Sequence, residues 1–228
     1  DVATGVALAA GGFTTAALVY VFHREDFHAV ARPALLTAML GYTFVGLGLM
    51  ADLGRYYNIW HPVWPTMWQG NSVLFEVGMC VMAYLTVLYI EFLPAVCERF
   101  VGRAEFPRLS RICAKIKRIT DRTMIYFILA GVVLSCLHQS SLGNLMLIAP
   151  TKMNPLWYTP ILGLLFLLSA IAVGFPMVIV ESLYASWSLR LKPETHLLSR
   201  LAKYIPALLG IYLAFKLGDM VIRESYAD

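Results

Sequence analysis

Between Val133 and Gly143 the sequence reads VLSCLHQSSLG, so an apolar run long enough to lie in lipid ends in an imidazole, an amide and two hydroxyls. An ordinary imidazole titrates near pH 6.5, so His138 can both hydrogen-bond a carbonyl oxygen and pass it a proton near neutrality. Carboxylates in other apolar runs extend that chemistry. Glu76 and Glu91 lie fifteen residues apart in one run; at 100° and 1.5 Å per residue they return to within about 60° of one direction, roughly 22 Å apart. Cys80, Ala83, Tyr84 and Val87 fall between them near the same face, a stripe that is dry at Val87 unless a neighbouring helix supplies polar groups. Glu181 closes another run. Tyr212, Lys216, Asp219 and Arg223 share one face of the last run, with Lys216 and Asp219 spaced to pair. Ionisable groups in lipid are costly, so each is a functional candidate. The plainer alternatives are helix-end solvation for Glu91 and Glu181, and a structural ion pair for Lys216 with Asp219.

The elements that position these groups follow from composition. Of 228 residues, 59% are hydrophobic and 14% charged, with mean hydropathy +0.69, whereas soluble domains carry about 25% charged residues. Runs of about 20 apolar residues cross a bilayer as helices because a helix satisfies its own backbone hydrogen bonds. Six runs are predicted, about 2–22, 33–51, 72–93, 123–141, 156–181 and 204–222, in one transmembrane domain over 1–228. None alternates in polarity as a barrel strand does. The expected fold class is all-α, a polytopic transmembrane helical bundle. Asp1 opens the chain with neither methionine nor a basic stretch before the first run, which predicts a bundle helix rather than a signal peptide, in a processed or partial piece of a longer protein.

Lys and Arg set the orientation. Residues 23–32, 94–122 and 182–203 carry 14 of the 18 basic residues, and Arg55, Lys152 and Arg223 lie on the other side. The positive-inside rule therefore predicts that both ends of the given sequence lie outside. The net charge of +4 reflects topology rather than nucleic-acid binding. The inner 94–122 segment, in which Pro94 and Pro107 bracket a stretch expected to hold a short surface helix, also carries RICAKIKR (111–118), suited to anionic membrane lipid. Pro176 is expected to kink or end the regular part of the fifth run. ALAAGG, GYTFVGLG and SAIAVG mark close helix packing.

With that topology His138, Gln139 and Glu76 fall at the outer end, with the loop DLGRYYNIWHPVWPTMWQGN contributing Asp52, Arg55, Tyr57, Trp60, His61, Trp64 and Trp68 at the same depth. A quinone head group suits such a place, since its reduction takes two electrons and two protons at the carbonyl oxygens. On the residues alone, an interfacial tryptophan belt and a hydrated helix-end histidine stand open beside that reading. A b-type heme normally takes two histidines deep in facing helices; only His138 of the five lies within a run, so no heme is expected. The four cysteines show no C-x-x-C spacing, so no bound metal is expected either.

Four blocks in order, DLGRYYNIWHP, WQGNSVLFEVGMCVMAYLTVLYIEFLP, LHQSSLGNLMLIAP and MNPLWYTPILGLLFLLSAIAVGFPMVIVESL, resemble the NrfD/PsrC family of membrane subunits, and within it the HybB-type subunits of periplasm-facing nickel–iron hydrogenases. The resemblance implies a heme-free anchor that exchanges electrons between a periplasmic iron–sulfur subunit, with the hydrogenase large and small subunits beyond it, and the quinone pool (menaquinone or ubiquinone). It implies a site facing the periplasm, with His138 and Glu76 handling protons. The resemblance carries quinone contact and proton movement to His138, Asp52, Arg55, Glu76, Glu91 and Glu181; by their placement Tyr57, Trp60 and Gln139 join the expected quinone contacts, and Lys216 and Asp219 join Glu76, Glu91 and Glu181 on the expected proton path. Family members have eight to ten helices, so this chain corresponds to part of one. A molybdenum-oxidoreductase anchor of the polysulfide-reductase kind and a proton-coupled transporter are the alternative functions.

Overall fold

The computed structural model describes residues 5–6, 9–52, 54–102, 106–192 and 194–224. All regular structure among them is helical: α1 (Gly11–Ala16), continued by a π-helical turn at Ala17–Val21, α2 (His28–Asp52), α3 (Val73–Glu98), α4 (Pro107–Met146), α5 (Leu162–Ser188), α6 (Thr195–Ala202) and α7 (Tyr204–Ile222). Four of these, α2 to α5, and the α6–α7 stretch Thr195–Ile222 are long and apolar enough to cross a membrane; Gly11–Val21 is a shorter apolar helix. The first predicted run is thus seen as a short helix, and its residues 2–4, 7 and 8 lie outside the described set.

Three boundaries differ from expectation for identifiable reasons. The fourth helix starts at Pro107 rather than near residue 123 and runs for 40 residues, roughly 60 Å at 1.5 Å per residue. Proline at the first helical position needs no amide partner, and RLSRICAKIKRITDR contains no glycine or internal proline to stop the helix. Among the described residues no separate surface helix forms between Pro94 and Pro107, because Pro94 is inside α3 and Pro107 opens α4. The fifth helix starts at Leu162 and runs unbroken through Pro176 to Ser188, so Glu181 lies within it rather than at its end.

α3 and α4 form an antiparallel hairpin, with α2 against α3, α5 against α4, and α7 on the outside of α5. The short α1 occupies the centre because its glycines allow it. A Cβ on Gly12 would come within 2.4 Å of the Ala38 methyl on α2, and one on Gly11 within 2.8 Å of Val178 on α5. Thr14 and Thr15 turn their hydroxyls onto carbonyls one turn back, at 2.7 to 3.1 Å, so their burial leaves no donor unpaired. Around α1 the core is Ala38, Tyr42, Val77, Val81, Tyr84, Leu88 and Leu142. Large apolar side chains such as Phe44, Val180 and Ile222 face outward, as lipid requires.

The two ends of the bundle differ in chemistry. At the basic end Glu98, closing α3, takes Arg32 of α2 at 3.3 Å and Lys117 of α4 at 2.8 Å, and Arg200 of α6 pairs with Asp26 at 2.7 Å. At the aromatic end the 53–72 loop lies in three short 3-10 turns, beside the 147–161 loop and the close of α7.

Candidate functional site

His138 is fully buried on α4. Its ring lies against Tyr42 of α2, with centroids 5.9 Å apart, and Tyr42 makes an edge-to-face pair with Tyr84 of α3 at 4.7 Å. Gln139, also buried, donates to the carbonyl of Val6 at 3.2 Å and so ties α4 to the N-terminal segment. Ser135 lies one turn before His138. Among the described residues neither ring nitrogen of His138, nor the Ser135 hydroxyl, nor the Tyr42 hydroxyl meets a protein hydrogen-bond partner. An unpartnered buried polar atom costs about 1–3 kcal/mol. Four of them around one imidazole therefore mark a place where structure alone does not explain the residues.

Glu76 lies in the first turn of α3, after Ser72, whose hydroxyl accepts from the amide of Phe75. The Ser141 hydroxyl donates to Glu76 Oε1 at 2.6 Å, and the helix N-terminus favours the negative charge. Ser141 is three residues past His138, so the carboxylate sits about one turn nearer the aromatic end than the imidazole. Glu76 is exposed on the surface of the chain, whereas Glu91 is buried with 8% of its surface accessible.

The loop candidates form a separate layer. Arg55, Tyr57 and Trp60 are exposed, Trp60 stacks edge-on against His61 at 4.6 Å, and Trp68 donates to the Pro62 carbonyl at 2.8 Å. Asp52 ends α2, and its side chain lies outside the described residues. His138 packs at Tyr42, ten residues before Asp52, or about 15 Å along α2. The loop and the imidazole therefore lie at different depths rather than at the single level the sequence suggested.

Glu91 accepts no hydrogen bond from the described residues and rests against Gly131 of α4, where a Cβ would stand 2.9 Å from its Oε1. Glu181 is half-buried on α5. Lys216 and Asp219 are buried, as the sequence expects of a shared face, but they engage the 147–161 loop rather than each other. Lys216 donates to the Leu156 carbonyl at 2.7 Å with its ammonium 4.4 Å from the Trp157 ring centre. Asp219 accepts from buried Thr159 at 2.7 Å and pairs with Arg223 at 3.4 Å, and Arg223 donates to the carbonyls of Pro155 and Tyr158. This cluster fastens the loop to α7. Asp219→Ala leaves the Arg223 guanidinium without its counter-charge and the buried Thr159 hydroxyl without an acceptor, and is expected to cost about 3 kcal/mol, read as a lowered unfolding midpoint in detergent; a parent-like midpoint would remove the cluster from any structural role.

Among the described residues no three His, Cys, Asp or Glu side chains gather to hold a metal ion. Tyr42, Tyr84, Ser135 and Gly131 surround the candidate groups without having been singled out as a site. Their signal was present: Gly131, Ser135 and His138 stand at i, i+4 and i+7 on α4, one helical face.

Residues 6–227 match the family described as Polysulphide reductase, NrfD. The chain is 36% identical over 228 residues to the probable Ni/Fe-hydrogenase 2 b-type cytochrome subunit of Escherichia coli (strain K12), covering 99% of this chain and 55% of that protein. It is 26% identical over 221 residues to the menaquinone reductase integral membrane subunit of Nitratidesulfovibrio vulgaris (94% and 51%). It is 23% identical over 235 residues to a selenate reductase subunit of Mesobacillus selenatarsenatis (95% and 54%). The chain spans about half the length of these curated relatives. No solved structure matches it. The first relative's name implies a b-type heme. Among the described residues His138 faces a tyrosine, His28 opens α2 at the basic end, and His23, His61 and His196 lie in or beside loops.

Proposed function

The chain belongs to the NrfD family, and from that premise we propose that this multi-span membrane protein is a heme-free subunit exchanging electrons between an iron–sulfur partner and the membrane quinone pool. His138 is the proton donor and acceptor for a quinone carbonyl, with Tyr42 and Gln139 beside it and Glu76 one turn nearer the aromatic end. The observation that carries this reading is the fully buried imidazole, both of whose nitrogens lack a partner among the described residues, grouped with the hydroxyls of Tyr42 and Ser135, which likewise lack one there. A bound carbonyl supplies the acceptor that such a group lacks. The similarity to a menaquinone reductase membrane subunit supports quinone as the substrate.

In this reading the basic end faces the cytoplasm of a bacterium and the aromatic end faces the periplasm. The exposed aromatic loop, with Arg55, Tyr57 and Trp60, meets the iron–sulfur subunit and the tail of the quinone. Buried Glu91 and half-buried Glu181 bring protons toward Glu76 and His138. A nickel–iron hydrogenase is the favoured catalytic partner because of the 36% identity to a hydrogenase subunit over the full chain. The likeness to a selenate reductase subunit favours a molybdenum-type oxidoreductase as the second reading.

Affinity purification of the full protein from its native membrane tests both. Iron–sulfur and nickel–iron subunits in the complex, with quinone reduced when hydrogen is supplied, are the expected result. A molybdenum subunit would replace the hydrogenase by the second reading, and a lone bundle carrying solute flux would overturn both. In the purified complex Glu76→Gln keeps the hydrogen bond from Ser141 but loses the charge, and is expected to lower quinone turnover at least about tenfold with assembly unchanged.

A further inference from the structure

The sequence leaves open how a proton passes the apolar level at Val87, and the packing of α3 against α4 offers an answer. Gly131 is the pivot. Its missing side chain is filled from α3, with Glu91 Oε1 2.9 Å, Val87 Cγ1 3.4 Å and Tyr84 Cε2 3.7 Å from where a Cβ would stand. The carboxylate and the phenol of α3 thus converge on one notch of α4, and the phenol passes alongside Val87. Above the notch the Tyr84 ring meets Tyr42 edge-on at 4.7 Å and Tyr42 packs on His138 at 5.9 Å, while buried Ser135 lies between Gly131 and His138 on the same face of α4. From Gly131 to His138 is seven residues, about 10 Å along α4.

The line continues below the notch toward the basic end. Tyr20 lies in the π-helical turn Ala17–Val21, and this turn packs against α4, the helix whose Gly131 seats the Glu91 carboxylate. Its hydroxyl bonds the ring of His28 at 3.4 Å, the two rings meeting edge-on at 5.9 Å. His28 is exposed at the start of α2. Single π-turns inside helices recur at functional sites because they re-aim one side chain. Tyr20, half-buried in such a turn, is bonded to an exposed imidazole.

We propose that protons for the buried imidazole enter from the basic end at the His28–Tyr20 pair, pass the Glu91 carboxylate seated on Gly131, and reach His138 through the hydroxyls of Tyr84, Ser135 and Tyr42, with water between them. This rests on the quinone reading above and adds an entrance and a route to it. Each quinone reduced takes two electrons from the partner and two protons along this line, and quinol oxidation returns two protons by the same groups. Glu91 is the single carboxylate on the route, and Tyr20 is a positioning residue that joins it to His28.

The test uses the complete complex in sealed vesicles of known orientation, with an acid-sensitive dye on the side of the basic end. The parent, Glu91→Gln, Tyr20→Phe and Gly131→Ala are compared for quinone turnover, dye response and solvent isotope effect. Glu91→Gln is expected to lower turnover and proton uptake from that side by about tenfold or more and to raise the isotope effect, with electron entry into the partner's clusters unchanged. Tyr20→Phe, which keeps its ring and its packing, is expected to do the same to a lesser degree. If Glu91→Gln does not assemble, Tyr20→Phe and Gly131→Ala, which displaces the carboxylate, carry the test. Full turnover with parental proton uptake in all assembled variants overturns the route while leaving the quinone reading in place. A parent complex that does not turn over quinone overturns both.

Discussion

Replacing His138 with leucine is expected to lower quinone-linked turnover by at least about a hundredfold, the lower range for a lost general acid–base group, while leaving the bundle at least as stable to heat. The two effects together separate a chemical role from a structural one. A histidine kept for structure holds hydrogen bonds, and its removal lowers the unfolding midpoint. His138 has none from the described residues, though it is fully buried in the bundle. Each buried polar atom without a partner costs about 1–3 kcal/mol. Leucine removes those atoms and fills a similar volume, so its packing loss is small beside the relief. Turnover of the purified complex and thermal unfolding in one detergent check the pair. A leucine variant that unfolds several degrees earlier and still reduces quinone would reverse the assignment, making the imidazole a structural element and leaving the site elsewhere.

The sequence exposed this arrangement unevenly, and the unevenness has physical causes. Transmembrane runs were legible because a helix in lipid must be apolar over its whole length, which composition reports directly. His138 was legible for the converse reason, as the single imidazole inside a run. Burial of individual carboxylates was not legible. Glu91, near a helix end, is enclosed, and Glu76, about one turn inside, is exposed, because burial depends on whether a glycine such as Gly131 faces the carboxylate from another helix. Spacing put Lys216 and Asp219 correctly on one face, but their partners come from a loop some sixty residues earlier. Tyr42 was not legible as a site residue, because only the meeting of α2 with α4 places it against the imidazole. In a membrane bundle the period of the sequence reports the surface facing lipid, while the site depends on which inward faces meet.

Gly143→Val is expected to disrupt the fold itself, lowering stability by about 3 kcal/mol or more and greatly reducing the yield of assembled protein. A Cβ at Gly143 would stand 2.8 Å from the Gly163 Cα and 3.0 Å from the Leu162 carbonyl oxygen. Both obstacles are backbone, so no rotamer change relieves them and α5 must move away from α4. The contact is reciprocal, since a Cβ on Gly163 would stand 2.9 Å from the Ser140 carbonyl. Gly131 differs because the atom it meets first is the flexible end of Glu91, which can shift, so Gly131→Ala alters the carboxylate's position rather than the fold. Gly46 and Gly48 meet nothing within 4 Å; there an alanine is expected to be neutral or to gain up to about 1 kcal/mol of helix propensity. Expression and unfolding midpoints of Gly143→Val beside Gly48→Ala decide the matter. Equal stability in the two would mean that α4 and α5 do not cross at these glycines. Moving α5 there also shifts Ser140 and Ser141, and with them the hydroxyl that bonds Glu76, one turn from His138. A milder Gly143→Ala that still assembles is therefore expected to lose quinone turnover before it loses stability, since acid–base geometry tolerates less displacement than packing does.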